Sequence, residues 1–281
     1  MNKTKIEWAK NPDGTPGYTW NPITGCLNGC PYCYARKLAN GRLRSRYLAN
    51  KNWSTKTPQT LCHDHYPNLD PFYPRFWPER LRGAWSDDVI AGREKGIFVC
   101  DMSDLFGIGI PEDWQVRVFD VIRAFPEHRF YLLTKQPQNL IKFSPFPDNC
   151  WVGVTATNDA SYMAALKGLG EVNAKVKFLS FEPLLEEVIN QSKHHGFCNL
   201  LSYYHIKWVI IGAQTKPYKP PKIEWVQEIV EACDKAGIPV FLKDNLYPLV
   251  TGTPLGECTG LWAKGFKLRQ EMPNVTVIVR P

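Results

Sequence analysis

Cys26, Cys30 and Cys33 stand in the run Gly-Cys-Leu-Asn-Gly-Cys-Pro-Tyr-Cys-Tyr-Ala, a C-x3-C-x2-C arrangement. Thiolates are soft ligands, and they select zinc or iron–sulfur clusters over hard cations. Three on one short loop can take three corners of a [4Fe–4S] cubane and leave its fourth iron open to chemistry. A structural zinc site wants four ligands, often from two paired clusters. No second C-x2-C and no H-x3-H partner follows at zinc-finger distance. The spacing therefore favours a cluster, against the alternatives of a zinc knuckle or unligated thiols.

The elements around the thiols must place whatever they hold. Apolar strand-like runs recur at 19 to 24, 97 to 100, 130 to 133, 151 to 154, 176 to 179, 208 to 211 and 239 to 242. Helix-compatible stretches follow most of them, at about 34 to 48, 111 to 125, near Gln138, 159 to 169 and 222 to 236. Pro111 reads as an early helical position, with Glu112 and Asp113 in the first turn. Strand–helix alternation implies a parallel sheet, because parallel strands need crossover connections. Ligands of such sheets sit beyond the carboxyl ends of the strands. The polar residues there are the three cysteines, Asp101 to Asp104, Thr134 to Gln136, Thr155 to Asn158, Ser180 with Glu182, Gly212 with Gln214, and Lys243 to Asn245. Each group alone caps a helix or closes a turn; together they suggest the lining of one pocket.

The cysteine spacing, with the aromatic Tyr32 just before the third cysteine, resembles the radical SAM superfamily. The blocks T-W-N-P-I-T-G-C, F-V-C-D-M-S-D-L-F-G, F-Y-L-L-T-K-Q-P, W-V-G-V-T-A-T, V-K-F-L-S-F-E-P-L-L, W-V-I-I-G-A-Q-T and G-I-P-V-F-L-K-D-N resemble an uncharacterised radical-SAM-like family of phages, prophages and other microbial genomes. That resemblance runs from about Ile6 to Leu268. It implies a partial (β/α) barrel of about six to seven mostly parallel strands. It also implies a [4Fe–4S] cluster on Cys26, Cys30 and Cys33, with S-adenosylmethionine at the open iron and Tyr32 beside the adenine. The reaction so implied is reductive cleavage to a 5′-deoxyadenosyl radical, which takes hydrogen from a substrate. An external electron donor such as flavodoxin or ferredoxin goes with it.

The second strand of that superfamily usually ends in Gly-Gly-Glu, which holds the methionine amino group. Here the place reads Asp101-Met102-Ser103, and Asp101 and Ser103 are expected to take over the role. By position, Thr155, Thr157 or Asn158 would face the ribose hydroxyls, and the backbone near Gly212 the adenine. Glu182 and Lys243 are candidates for an acid–base pair, with an ordinary buried ion pair as the alternative.

A formal net charge of +7 suits a phosphate-bearing partner and, together with the family resemblance, favours DNA, RNA or a nucleotide as substrate, in modification or repair, with a small metabolite or a partner peptide as the open alternatives. Arg36, Lys37, Arg42, Arg44, Arg46, Lys51 and Lys56 gather in one stretch, which a solvated helix face also explains. The rival reading from another class is a non-catalytic nucleic-acid-binding module with a structural zinc or iron–sulfur site. The first residues carry no apolar signal region and no run approaches a membrane span, so the expected compartment is cytoplasmic with no membrane partner.

One domain over 1–281 is expected, with a Pro- and aromatic-rich insertion at about 51–95 and a C-terminal extension at about 252–281. Val275 to Val279 reads as an edge strand or lid, and 190 to 206 as a loop holding His194, His195, Cys198 and His205. Cys62, His63 and His65 have metal-ligand chemistry, but adjacent ligands are awkward for tetrahedral zinc. Cys100 is expected to be buried, or to serve as a late hydrogen-atom donor with Tyr32. There is no Walker phosphate loop and no Gly-x-Gly-x-x-Gly.

Overall fold

A computed structural model describes residues 1–55, 67–82, 94–188, 196–252, 259–263 and 267–274. They fall into two compact units, one over Met1–Asn139 and Pro147–Cys150, the other over Leu140–Phe146 and Trp151–Thr276.

The first unit runs β1 (Asn2–Lys3), β2 (Tyr18–Trp20), β3 (Ile23–Thr24), α1 (Tyr34–Asn40), α2 (Arg44–Ala49), β4 (Arg75–Phe76), α3 (Glu79–Arg82), β5 (Gly96–Val99), α4 (Glu112–Ala124) and β6 (Arg129–Thr134). β2 pairs parallel to β5 and β5 parallel to β6, while β1 adds an antiparallel edge to β2. β5 is buried along its whole length, which is why it reads as a continuous apolar run without alternation. α4 turns Trp114, Val118, Phe119 and Ile122 inward, at the spacing of one helical face. Trp8 packs on Phe98 at 4.8 Å and edge-on to Tyr131 at 5.6 Å, closing the core beside these strands.

The second unit runs β7 (Cys150–Thr155), α5 (Asp159–Gly170), β8 (Val176–Phe181), α6 (Phe197–Tyr203), β9 (Ile206–Ile211), β10 (Gln214–Thr215), β11 (Tyr218–Lys219), α7 (Ile223–Ala236), β12 (Val240–Leu242), α8 (Tyr247–Thr251), β13 (Trp262–Ala263) and β14 (Lys267–Leu268). β7, β8, β9 and β12 pair in parallel in that order. Crossovers through α5, α6 and α7 make this possible. Trp208 is the centre of the core, with Trp151 at 5.8 Å, Phe178 at 5.6 Å and Phe241 at 6.1 Å.

The chain is thus mixed α/β with mostly parallel sheet. The strands expected from the apolar runs are present, with ends shifted by a residue or two, except that the run at 19 to 24 is two short strands in different sheets, β2 and β3. β1 is additional; two exposed residues carry no periodicity to read. The expected helix over 34 to 48 is two helices, because Gly41 ends α1 with its N–H on the Lys37 carbonyl. Pro111 is the extended residue before α4, not its first helical one. The turn near Gln138 is a 3-10 helix over Pro137–Phe143. The stretch expected as a loop at 190 to 206 contains α6, whose Phe197 and Leu201 are buried. Lys56, Cys62, His63, His65, His194, His195 and Val275 to Val279 lie outside the described residues. Among the described residues no helix is long and apolar enough to cross a membrane.

Candidate functional site

The cysteine loop begins where β3 ends, and the expected insertion holds it there. β3 pairs antiparallel with β4, setting Thr24 opposite Arg75, and the Trp77 indole N–H donates to Thr24 Oγ1 at 2.8 Å. The next residue, Gly25, has φ +86°, and a Cβ there would stand 2.3 Å from the Tyr73 carbonyl oxygen. Only glycine fits both conditions. The Cys26 N–H then donates to the Phe72 carbonyl at 2.9 Å. Cys26 and Cys33 pack against a buried cluster of Ala35, Ala39, Tyr47, Phe72, Trp77 and Met102.

Arg75 makes that wall rigid. It is fully buried. Its guanidinium donates to the carbonyls of Asn50, Asp70, Pro71, Tyr73 and Pro67. Residues with no strand or helix ladder of their own thus satisfy their backbone on one side chain.

All three cysteines are free and partly exposed. The Asn28 N–H points at Cys26 Sγ (3.4 Å), and the Arg36 N–H at Cys33 Sγ (3.3 Å), so Cys33 caps α1. Burial pushes the Cys26 thiol well above its ordinary value, and the Asp104 carboxylate adds to this. Burial raises Cys30 too, while Lys135 pulls it back. Lys135 Nζ lies 5.7 Å from the centre of the Tyr32 ring.

Asp104 ties the loop to the strand ends. Its buried carboxylate accepts from the Asn28 side chain (2.8 Å), Thr134 Oγ1 (2.7 Å), the Lys135 N–H (2.9 Å) and the Phe106 N–H (3.1 Å). Gln136 Nε2 donates to Asn28 Oδ1 at 2.9 Å, closing the network. Asp101 lies on the other side of the loop. Its Oδ1 accepts from Asn21 at 2.5 Å, and the Tyr34 hydroxyl donates to its carbonyl at 2.7 Å. Burial raises its pKa above the ordinary 3.8. Ser103 Oγ donates to the Gly25 carbonyl at 2.5 Å, which leaves the hydroxyl only its lone pairs. Cys100, buried at the end of β5, has φ +60°, an uncommon conformation for a residue with a side chain.

The second unit gathers the other expected residues at the carboxyl ends of its strands. Lys243 Nζ donates to Glu182 Oε1 in an ion pair that is 11% and 25% exposed on its two sides. Gly212 makes room for it, since a Cβ there would stand 2.9 Å from Lys243 Cδ and 3.4 Å from Glu182 Cγ. Asn245 pairs both amide atoms with the Ala213 backbone, at 3.0 and 2.9 Å. Thr155, the last residue of β7, is buried. The Thr157 carbonyl accepts from the Leu185 and Glu186 N–H groups. Asn158 caps α5 in a reciprocal box with Ser161, so its side chain is committed locally. A cleft of about 420 Å³ at the amino ends of β9 and β12, between His205, Ile206, Ala236 and Pro239, holds none of these residues.

A family model described as a protein of unknown function (DUF5131) matches residues 3–246. The chain belongs to the DUF5131 family. No curated protein and no solved structure matches it.

In this DUF5131 chain the structure brings Cys26, Cys30, Cys33, Tyr32, Asp101 and Ser103 to one loop system of the first unit. It brings Glu182, Gly212 and Lys243 together in the second. Asn28, Tyr34 and Arg36 were not candidates from sequence. Arg36 donates to the Cys26 carbonyl at 3.1 Å and lies over the Phe72 ring at 4.9 Å. Their sequence signal was only proximity to the cysteines.

Proposed function

We propose that the chain is a radical SAM enzyme. Its cysteine loop would hold a [4Fe–4S] cluster, the open iron would take S-adenosylmethionine, and the substrate would be a nucleic acid or nucleotide. The observation that carries this reading is the loop itself: soft thiols on one short segment, with backbone N–H groups aimed at two of the sulfurs. Such hydrogen bonds to sulfur tune cluster potentials. Among the described residues no three His, Cys, Asp or Glu side chains gather as a site for a single ion. A cubane asks for another geometry, in which each thiolate takes its own iron.

Cluster and SAM together supply a one-electron reductive cleavage whose product abstracts hydrogen. The protein's own work is binding and exclusion. Asp101 has no ion pair among the described residues, and an incoming ammonium would favour its carboxylate form against the burial that raises its pKa. Asn21 holds that carboxyl in place, and Tyr34 holds the Asp101 backbone carbonyl. Asp104, Asn28 and Gln136 fix the loop between the first two thiols. Arg75 and Trp77 keep the wall behind the loop closed. The Glu182–Lys243 pair is the proposed acid–base group for the substrate. Closure of the sheet into a partial barrel and an external donor such as flavodoxin or ferredoxin belong to the same reading.

The test is anaerobic reconstitution with iron and sulfide, then SAM and dithionite, with 5′-deoxyadenosine as readout and Cys26/Cys30/Cys33→Ala as control. Product from the wild type alone supports the reading. Zinc without acid-labile sulfide in the purified protein would sink it and bring the nucleic-acid-binding module forward.

A further inference from the structure

Beyond the Glu182–Lys243 pair, the second unit holds two tyrosines whose rings are fixed yet open. Tyr218 is 45% exposed, and its hydroxyl donates to the Asn245 carbonyl at 3.1 Å. Tyr247 is 50% exposed and is held edge-on to Trp262 at 6.0 Å. Tyr218 is anchored on Asn245 and Tyr247 follows it by two residues in the chain, and the Asn245 amide clamps Ala213, the neighbour of Gly212. A folded chain gains little by tethering half of an aromatic ring in water, whereas a preordered ring is what a base stacks on.

The charge around them has one sign along the adjoining segment. Gln214 to Lys222 reads Q-T-K-P-Y-K-P-P-K, with Lys216, Lys219 and Lys222 and no acid. All three lysines are exposed. The antiparallel pairing of β10 with β11 sets Gln214 opposite Lys219 and Thr215 opposite Tyr218, so Lys216, Lys219 and the ring share one small hairpin, and Lys222 follows as the residue before α7. The nearby acid Asp244 accepts from Gln270 Nε2 at 2.8 Å, which partly occupies its charge.

We infer that this rim, Tyr218 and Tyr247 with Lys216, Lys219 and Lys222, binds single-stranded nucleic acid, stacking bases on the rings and pairing phosphates with the lysines. Stacking needs unpaired bases, so a duplex is the poorer ligand. The rim adjoins the Glu182–Lys243 pair through Asn245, Ala213 and Gly212, so a stacked strand presents a base to that pair. The inference rests on the proposed substrate class, but it does not need the cluster.

The test is fluorescence anisotropy of a labelled single-stranded oligonucleotide of about 16 nucleotides, a length that fills a typical single-strand site. It is run as DNA and as RNA, across a salt series, on the reconstituted protein and on protein stripped of iron. Tyr218→Ala and Tyr247→Ala are each expected to weaken binding about fivefold or more, the lower end for one stacked base. Tyr218→Phe and Tyr247→Phe keep the rings and are expected to bind nearly as the wild type does. Lys219→Gln with Lys222→Gln is expected to flatten the salt dependence by about 0.7 per lysine in log–log slope. Circular dichroism confirms that each variant is folded. No wild-type binding at low salt, or alanine variants that bind like the wild type, would overturn the inference. Equal binding of poly-glutamate would overturn it too, since a charged peptide offers no bases. Binding that survives iron removal while 5′-deoxyadenosine never forms would leave this rim standing and remove the radical reading.

Discussion

The side-chain amide of Asn28 donates to the carboxylate of Asp104 at 2.8 Å, across seventy-six residues of chain. One partner lies between the first two cysteines and the other lies beyond the end of β5. The bond makes the position of the thiols depend on the strand ends, and Gln136 doubles the dependence by donating to Asn28 from the end of β6.

Asp104→Ala is therefore expected to do two things. It strips an acceptor from the Asn28, Thr134, Lys135 and Phe106 donors, and buried donors left bare make a loss of about 3 kcal/mol the expected scale. It also frees the loop. Urea unfolding reads the first effect, and iron per chain after reconstitution reads the second. Asn28→Ala, which leaves the Thr134, Lys135 and Phe106 bonds intact, is expected to lower iron retention with a smaller cost in stability.

Asp101→Asn separates binding from stability. Loss of the charge is expected to weaken SAM binding about tenfold or more, the scale of a hydrogen bond to a charged group. Anaerobic calorimetry on reconstituted protein measures it, and unchanged affinity would remove Asp101 from the site. The pH dependence has a definite sign. Burial raises the folded-state pKa above 3.8, so the protonated form favours the folded state, and that stability is lost as pH rises through the raised value. The asparagine variant does not titrate there. Its melting temperature relative to wild type is expected to rise as pH climbs above the ordinary 3.8.

The Glu182–Lys243 pair yields a cycle. Lys243→Met leaves a largely buried carboxylate without its cation, and a cost of about 2 kcal/mol is expected after allowing for its partial exposure. Adding Glu182→Gln is expected to recover most of it. If the double variant loses as much as Lys243→Met and Glu182→Gln do separately in sum, the pair contributes no coupling, and its convergence at Gly212 is packing alone.

Arg75→Met is expected to be the most damaging substitution in the wall behind the cysteines. It leaves the carbonyls of Asn50, Asp70, Pro71 and Tyr73 without their donor at a buried site, at an expected cost of about 3 kcal/mol or more. Thermal unfolding measures that cost. Iron retention is expected to fall with it, whereas Cys100→Ala, at a buried thiol outside the loop, is expected to keep its iron.

Much of this was legible in the residues. Continuous apolar runs such as Gly96–Val99 and 208 to 211 announce buried parallel strands, and the strand-end polar groups follow from their positions. The cysteine spacing is local and needs no tertiary context. What escaped was long-range or misleadingly local. Nothing near Asn28 points to Asp104, and nothing near Arg75 points to Asn50. Asn158 stands at a strand end, as a ribose ligand would, but its side chain completes a helix cap with Ser161, a local use that competes with any ligand. The Pro-rich stretch read as an appendage to the fold is in its described part the back wall of the candidate site, because prolines and aromatics say that a segment is ordered but not what it leans on.

The clamp on Cys26 has a consequence for the order of events during synthesis. The carbonyl that receives its N–H belongs to Phe72, and the backbone that forces glycine at position 25 belongs to Tyr73. A ribosome releases Cys26, Cys30 and Cys33 before either has been made. In that interval the thiols are bare, unclamped and open to oxidants or to the wrong metal. Under the proposed reading, loading with iron and sulfide would follow the docking of Phe72 and Tyr73 against this loop.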